Sequence, residues 1–187
     1  MDYFLEIGLR PDPEFVPSQL MNALFSKLHR ALVQTGNNRI GVSFPDAGSD
    51  RPYLGDKLRL HGSAEQLDVL MGSDWLTGMR DHVCVGKIEP VPANVKYRVV
   101  RRVQAQSNPE RLRRRYMKRH EVGEAELRAR FPDDAGEQLT LPFVSLRSVS
   151  TGQHFRLFIE HGPLVDVARA GEFGCYGLSS TATVPWF

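Results

Sequence analysis

The chain has 187 residues, 41% of them apolar, with a formal net charge of +2 and a pI near 8.6. It is long and apolar enough to bury a real core as one large domain or two small ones. No apolar run approaches the ~18–20 residues a membrane span needs, and Met1 to Glu6 lacks the basic and apolar blocks of a signal peptide, so a soluble cytoplasmic protein with no membrane partner is expected.

In chain order, Tyr3 to Arg10 reads as a strand ended by Pro11 and Pro13. Ser18 to Gln34 carries Leu20, Leu24, Leu28 and Leu32 at steps of four, an amphipathic helix stopped near Gly36. Arg39 to Phe44 and Lys57 to His61 read as strands joined by a polar loop. Ser63 to Met71 reads as a second helix with an irregular continuation through Trp75 to His82, and Val83 to Ile88 as a fourth strand. The order βαββαβ, with two right-handed crossovers, predicts a four-stranded antiparallel sheet with helices on one face, the ferredoxin-like (RRM-like) unit. A Pro-containing segment from Glu89 to Ala93 ends it. Residues 1–93 are therefore read as one domain and 94–187 as a smaller α+β domain, with a short helix at Glu124 to Arg130 and strands at Leu141 to Arg147, Phe155 to Glu160 and Phe173 to Leu178. Cys84 and Cys175 stand singly in apolar surroundings, the pattern of buried thiols rather than a disulfide or metal site.

The charge is concentrated. Lys96 to Arg119 holds ten of the 24 Lys and Arg residues and one of the 22 Asp and Glu, so this stretch carries +9 while the rest of the chain nets −7. Ser107-Asn108-Pro109-Glu110 supplies a cap, a first-turn proline and an acid, and Arg111 to His120 continues as an arginine-rich helix without Gly or Pro. At 100° per residue Arg111, Arg115, Lys118 and Arg119 share a face with Arg114 beside it, whereas Leu112 and Tyr116 lie opposite and Arg113 flanks them. Solvated charged faces usually alternate in sign; this one does not, which points to nucleic acid. B-DNA admits a helix in its major groove. A long A-form RNA duplex does not, but a short RNA hairpin opens the groove at its ends and loop.

Chemistry narrows by exclusion. The sequence has no DxD, ExK, HNH-like or GxxxxGK[ST] pattern and no zinc spacing, so no metal or other cofactor is expected. A metal-free cut is open to RNA, whose 2′-hydroxyl is a built-in nucleophile that needs in-line orientation, a base and stabilisation of the phosphorane charge. Histidine suits the base, yet none of the six stands out. By position alone His29 reads as a boundary histidine at the edge of the apolar stripe.

A series of segments nevertheless resembles the type I-F CRISPR repeat-processing endoribonucleases. Arg102-Val103-Gln104-Ala105 followed by Ser107 to Arg115 is similar to that family's signature region. So are Leu141-Pro142-Phe143-Val144, Leu146-Arg147-Ser148, Ser150 to Ile159, Cys175-Tyr176-Gly177-Leu178-Ser179 and Val184-Pro185-Trp186-Phe187. Nearer the start, Leu9 to Phe15, Leu28-His29 and Arg39 to Pro45 fit as well. The resemblance implies metal-independent cleavage of pre-crRNA at the 3′ base of the CRISPR repeat hairpin, a 2′,3′-cyclic phosphate product, and retention of the mature crRNA for delivery to the type I-F surveillance complex subunits.

By position the resemblance implies that His29 transfers the proton, Ser148 holds the 2′-hydroxyl, with Ser150 a second candidate, and Tyr176 orients the imidazole. Arg102 and Gln104 are implied to read purine edges at the foot of the stem, and Phe155 to stack under its last base pair. Arg111, Arg114, Arg115, Lys118, Arg119 and His120 are implied to grip the stem. Lys118 stands where the family pattern leads one to expect Arg, which keeps a phosphate contact but not a bidentate one. Two other readings stay open: a hairpin-binding subunit of a ribonucleoprotein that does not cut, and a duplex-DNA-binding regulator.

Overall fold

In the computed structural model, which describes residues 1–36, 38–48, 52–104, 109–120, 122–132, 139–148 and 152–187, the first half of the chain builds the expected sheet. Strand β1 (Tyr3–Leu9) buries Leu5 and Ile7, two residues apart, as a pleated strand with one core face must. Helix α1 (Pro17–Thr35) starts on Pro17 and stops where Gly36, at φ 60°, donates its N–H back to Leu32 and Val33. Leu20, Leu24, Leu28 and Leu32 are all buried along it. Strands β2 (Gly41–Ser43) and β3 (Lys57–Gly62) follow. Helix α2 (Ala64–Gly72) opens on a reciprocal capping box in which Gln66 N–H donates to Ser63 Oγ and Ser63 N–H to Gln66 Oε1. A single 3-10 turn at Arg80–His82 leads into β4 (Val83–Val85).

The strand order is β2-β3-β1-β4, with β1 antiparallel to both neighbours and Leu5 opposite Leu60. That is the ferredoxin-like arrangement predicted from βαββαβ. The Pro-containing segment adds a two-residue strand, β5 (Glu89–Pro90), paired with the start of β1.

Strand β6 (Lys96–Val103) takes up the first part of the basic stretch, for which the sequence predicted no strand. Helices α3 (Pro109–Met117) and α4 (Glu124–Arg130) come next, then β7 (Phe143–Arg147), β8 (His154–His161) and β9 (Thr183–Trp186). The second sheet has the order β7-β8-β6-β9. The strand expected at Phe173 to Leu178 is instead a turn: Gly177, at φ 68°, donates to Gly174 O, and Gly174 donates to Leu178 O. A side chain at Gly177 has no room, because a Cβ there would lie 2.3 Å from Val42 Cγ2. The two cysteines are exposed, not buried: Cys84 sits at an outward position of short β4, and Cys175 in this turn.

By compactness the chain divides into Met1–Arg102 with Leu141–Phe187, and Val103–Thr140. The expected boundary at 93/94 separates the two sheets in sequence, but this division keeps them together and sets apart the segment that carries α3 and α4. Within the larger unit α1 serves both sheets. Its leucines cover the first, and Asn22 Oδ1 accepts the Ser145 N–H of β7 at 2.8 Å. Arg59, only 5% exposed on β3, binds Glu6 Oε1 through Nε and Nη2, donates to the Phe187 carbonyl at 2.9 Å, and lies 3.9 Å over the Phe187 ring. This buried charge is fully partnered, as it must be to be tolerated. Among the described residues no helix is long and apolar enough to cross a membrane.

Candidate active site

A cleft of about 850 Å³ in the larger unit collects residues from five parts of the chain. Helix α1 contributes Ser26 together with His29 and Arg30, three and four residues further on and so one turn away on the same side. Strand β6 contributes Arg102, the end of β7 contributes Leu146, Arg147 and Ser148, and β8 with the preceding residues contributes Gly152 and Phe155. Tyr176 comes from the Gly174–Leu178 turn. Of the residues singled out in the sequence, His29, Ser148, Tyr176, Arg102 and Phe155 thus meet in one place.

His29 is half-buried and fixed in two ways. Its Nδ1 lies 2.9 Å from the Cys175 carbonyl oxygen. A carbonyl only accepts, so Nδ1 carries the proton and the neutral ring keeps its lone pair on Nε2. The imidazole also stacks on Tyr176, with centroids 4.1 Å apart and planes 18° from parallel. Tyr176 is itself parallel to Phe25, one turn before His29, at 6.2 Å. Burial pushes the Tyr176 phenol above its ordinary pKa, with Cys175 adding to the rise and the Arg102 cation opposing it. The phenol therefore stays protonated at neutral pH. Arg102 lies 5.9 Å from the centroids of both Phe155 and Tyr176. Ser148 closes the β7–β8 connection: its N–H donates to Gln153 O and its carbonyl accepts the Gly152 N–H, both at 2.9 Å. Ser150, the second candidate for holding the nucleophile, lies outside the described residues.

The other histidines have different surroundings. His61 is buried against Ser43 Oγ at 2.8 Å, and burial drives its pKa down to about 3. His161, between Phe44 and Trp186, is lowered by burial to about 4. His82 pairs with Asp12 at 2.8 Å. His154 is exposed at the start of β8.

In the smaller unit the wheel expected for α3 is observed wherever side chains are described. Arg114, Arg115, Lys118 and Arg119 are exposed, whereas Leu112, Arg113 and Tyr116 turn partly inward. Regular helix stops at Met117, so Lys118 and Arg119 sit in the turn beyond it. Tyr116 packs edge-on against Phe131 and stacks with His120 at 4.3 Å, and Arg113 donates to the Phe131 carbonyl. These contacts dock α3 on α4 and leave the arginine face outward. Gln104 is exposed just after β6. The Arg111 side chain and the capping residues Ser107 and Asn108 lie outside the described residues.

The sequence reading missed Ser26, Arg30 and Arg147 in the cleft and the Cys175 carbonyl on His29. Ser26 and Arg30 had a signal, since they are one turn and one residue from His29 on the same helix. The carbonyl had none, because a main-chain acceptor has no residue type. Among the described residues no group of three His, Cys, Asp or Glu side chains is placed to hold a metal ion.

Residues 4–187 match the model of the CRISPR-associated protein family Cas_Csy4. The chain is 59% identical over all 187 of its residues to the full-length CRISPR-associated endonuclease Cas6/Csy4 of Pseudomonas aeruginosa (strain UCBPP-PA14). It is 47% identical, again over the whole of both chains, to the CRISPR-associated endonuclease Cas6/Csy4 of Escherichia coli (strain UTI89 / UPEC).

Proposed function

The chain belongs to the Cas_Csy4 family of CRISPR-associated proteins, and from that premise we propose that it is a CRISPR-associated endonuclease that binds the repeat hairpin of pre-crRNA and cuts it at the 3′ base of the stem without a metal ion. The observation that carries this reading is the 2.9 Å approach of His29 Nδ1 to the Cys175 carbonyl, which keeps a proton on Nδ1 and supports Nε2 as the proton acceptor, in the cleft that Ser148 also lines.

In the proposed reaction Ser148 holds the 2′-hydroxyl of the nucleotide before the cut in line with the scissile phosphorus, and Nε2 of His29 takes its proton. The 2′-oxygen bonds to phosphorus, the P–O5′ bond breaks, and O5′ takes up a proton. The products are a 2′,3′-cyclic phosphate and a 5′-hydroxyl; no water is consumed. Tyr176 holds the imidazole by stacking, Phe155 stacks beneath the last base pair, and Arg102 and Gln104 read the edges of bases at the foot of the stem. Arg111, Arg114, Arg115, Lys118, Arg119 and His120 supply phosphate contacts along it. The cut hairpin stays bound and passes with the enzyme to the surveillance complex subunits in the cytoplasm.

The test is a cleavage assay in EDTA on the repeat hairpin beside the same RNA with one 2′-deoxy nucleotide immediately 5′ of the cut. Cleavage of the all-ribose RNA alone, lost in His29→Ala while hairpin binding stays nearly intact, is the expected result. Tight binding with no cleavage of either RNA overturns the enzymatic reading in favour of a binding subunit. Equal affinity for DNA of the same sequence, again without cleavage, turns it to a duplex-DNA regulator.

A further inference from the structure

Among the described residues the cleft that holds His29 is lined by three guanidinium groups, those of Arg30, Arg102 and Arg147, and by no carboxylate. That imbalance bears on an unfilled requirement of the reaction proposed above, on which this inference rests. When the 2′-oxygen adds to phosphorus, negative charge gathers on the two nonbridging oxygens, and a fixed positive donor is what stabilises it best in a partly desolvated site. A neutral imidazole and a serine hydroxyl bring none. Arg102 is committed, on the reading above, to a base edge.

We propose that Arg147 is a further catalytic residue, the donor to the nonbridging oxygens of the scissile phosphate. It ends β7, directly before Ser148, so its backbone is anchored where the nucleophile is held. Its Nε–H donates to the Gly152 carbonyl at 3.2 Å, which ties one edge of the guanidinium to the loop, and the side chain lines the cleft. None of the ion pairs among the described residues involves it. A guanidinium with no carboxylate partner among the described residues and one edge tied to the loop is partly oriented before substrate binds. Arg30 is a weaker candidate. Both arginines are exposed, but the Arg30 Nε reaches back to the Ser26 carbonyl of its own helix at 3.3 Å rather than to the loop beside Ser148.

The experiment measures single-turnover cleavage in EDTA at saturating enzyme for the wild type, Arg147→Gln, Arg147→Lys and Arg30→Gln, with affinity read separately on the 2′-deoxy hairpin. Glutamine keeps an N–H for Gly152 but removes the charge, so Arg147→Gln slows cleavage by about 10²- to 10³-fold, as loss of one transition-state donor does. Its affinity for the 2′-deoxy hairpin falls far less. Arg147→Lys recovers part of the rate, and Arg30→Gln slows it less than Arg147→Gln. A hairpin with sulfur at one nonbridging oxygen of the cut supplies a readout that a merely structural role leaves unmoved: the penalty seen with one diastereomer in the wild type shrinks in Arg147→Gln. Arg147→Gln cutting at the wild-type rate, slowing only in proportion to weakened binding, or slowing no more than Arg30→Gln overturns the assignment to Arg147 while leaving the nuclease standing. A wild type that cuts nothing in EDTA overturns both.

Discussion

On the proposed mechanism, replacing Tyr176 separates two roles that a tyrosine stacked on the proton-transferring histidine could play. The ring faces His29 at 4.1 Å and 18°, a geometry worth about 0.5–1.5 kcal/mol for an aromatic pair. If all of that energy serves to hold the imidazole toward the 2′-hydroxyl, Tyr176→Leu lowers the cleavage rate by roughly two- to tenfold, since ~1.4 kcal/mol is tenfold in rate. The loss stops there because the Cys175 carbonyl still grips Nδ1. Tyr176→Phe keeps the ring and removes only a hydroxyl that burial holds protonated, so its rate stays close to the wild type. The assay is single-turnover cleavage of the repeat hairpin, with thermal denaturation alongside to show that the stack on Phe25 has been replaced without unfolding. Tyr176→Phe falling as far as Tyr176→Leu refutes the reasoning, because the hydroxyl is then chemically engaged. An unchanged Tyr176→Leu refutes it as well, since the stack then orients nothing.

Arg102→Ala is expected to weaken hairpin binding by ~1–3 kcal/mol and to relax the choice of one base pair at the foot of the stem, as loss of a bidentate base contact does. Filter binding against hairpins varied at that pair decides it, and a loss uniform over all sequences marks Arg102 as a phosphate clamp. Acid destabilises the fold through His61 and His161. Their folded pKa values, about 3 and about 4, lie below the ordinary 6.5, so the unfolded chain binds the extra protons and stability falls as pH drops from 6.5 toward those values. At pH 5 the two histidines together remove about 4 kcal/mol relative to pH 7.5. Urea midpoints at the two pH values measure it, and equal midpoints show that the rings are not held neutral.

Some elements announce themselves locally. Leucines at steps of four can only line one side of a helix, and α1 buries all four of them. Ser63 with Gln66 three residues on is a complete start signal for α2, because the two side chains satisfy each other's backbone donors. The second sheet is less visible. Strand β6 looks polar since Arg98, Arg101 and Arg102 interrupt its apolar residues, yet Arg98 lies 4.3 Å over the Trp186 ring and donates to the Gly162 carbonyl, while Arg101 pairs with Glu160. Strand β9 is only four residues long and contains Pro185. The aromatic run near Phe173 suggested a strand, but Gly177 is crowded against Val42 and turns the chain there.

For the site, the sequence alone determined that an arginine-rich helix with one apolar edge follows a ferredoxin-like unit, because charge and periodicity are local properties of a few turns. It also put His29 at the border of a buried stripe without distinguishing it from the other five histidines. Only the tertiary structure decided that this border faces the β7–β8 connection, and which ring nitrogen carries the proton. The partner that fixes that nitrogen is a main-chain oxygen 146 residues away. Nothing in the spacing of side chains along a chain encodes such a contact.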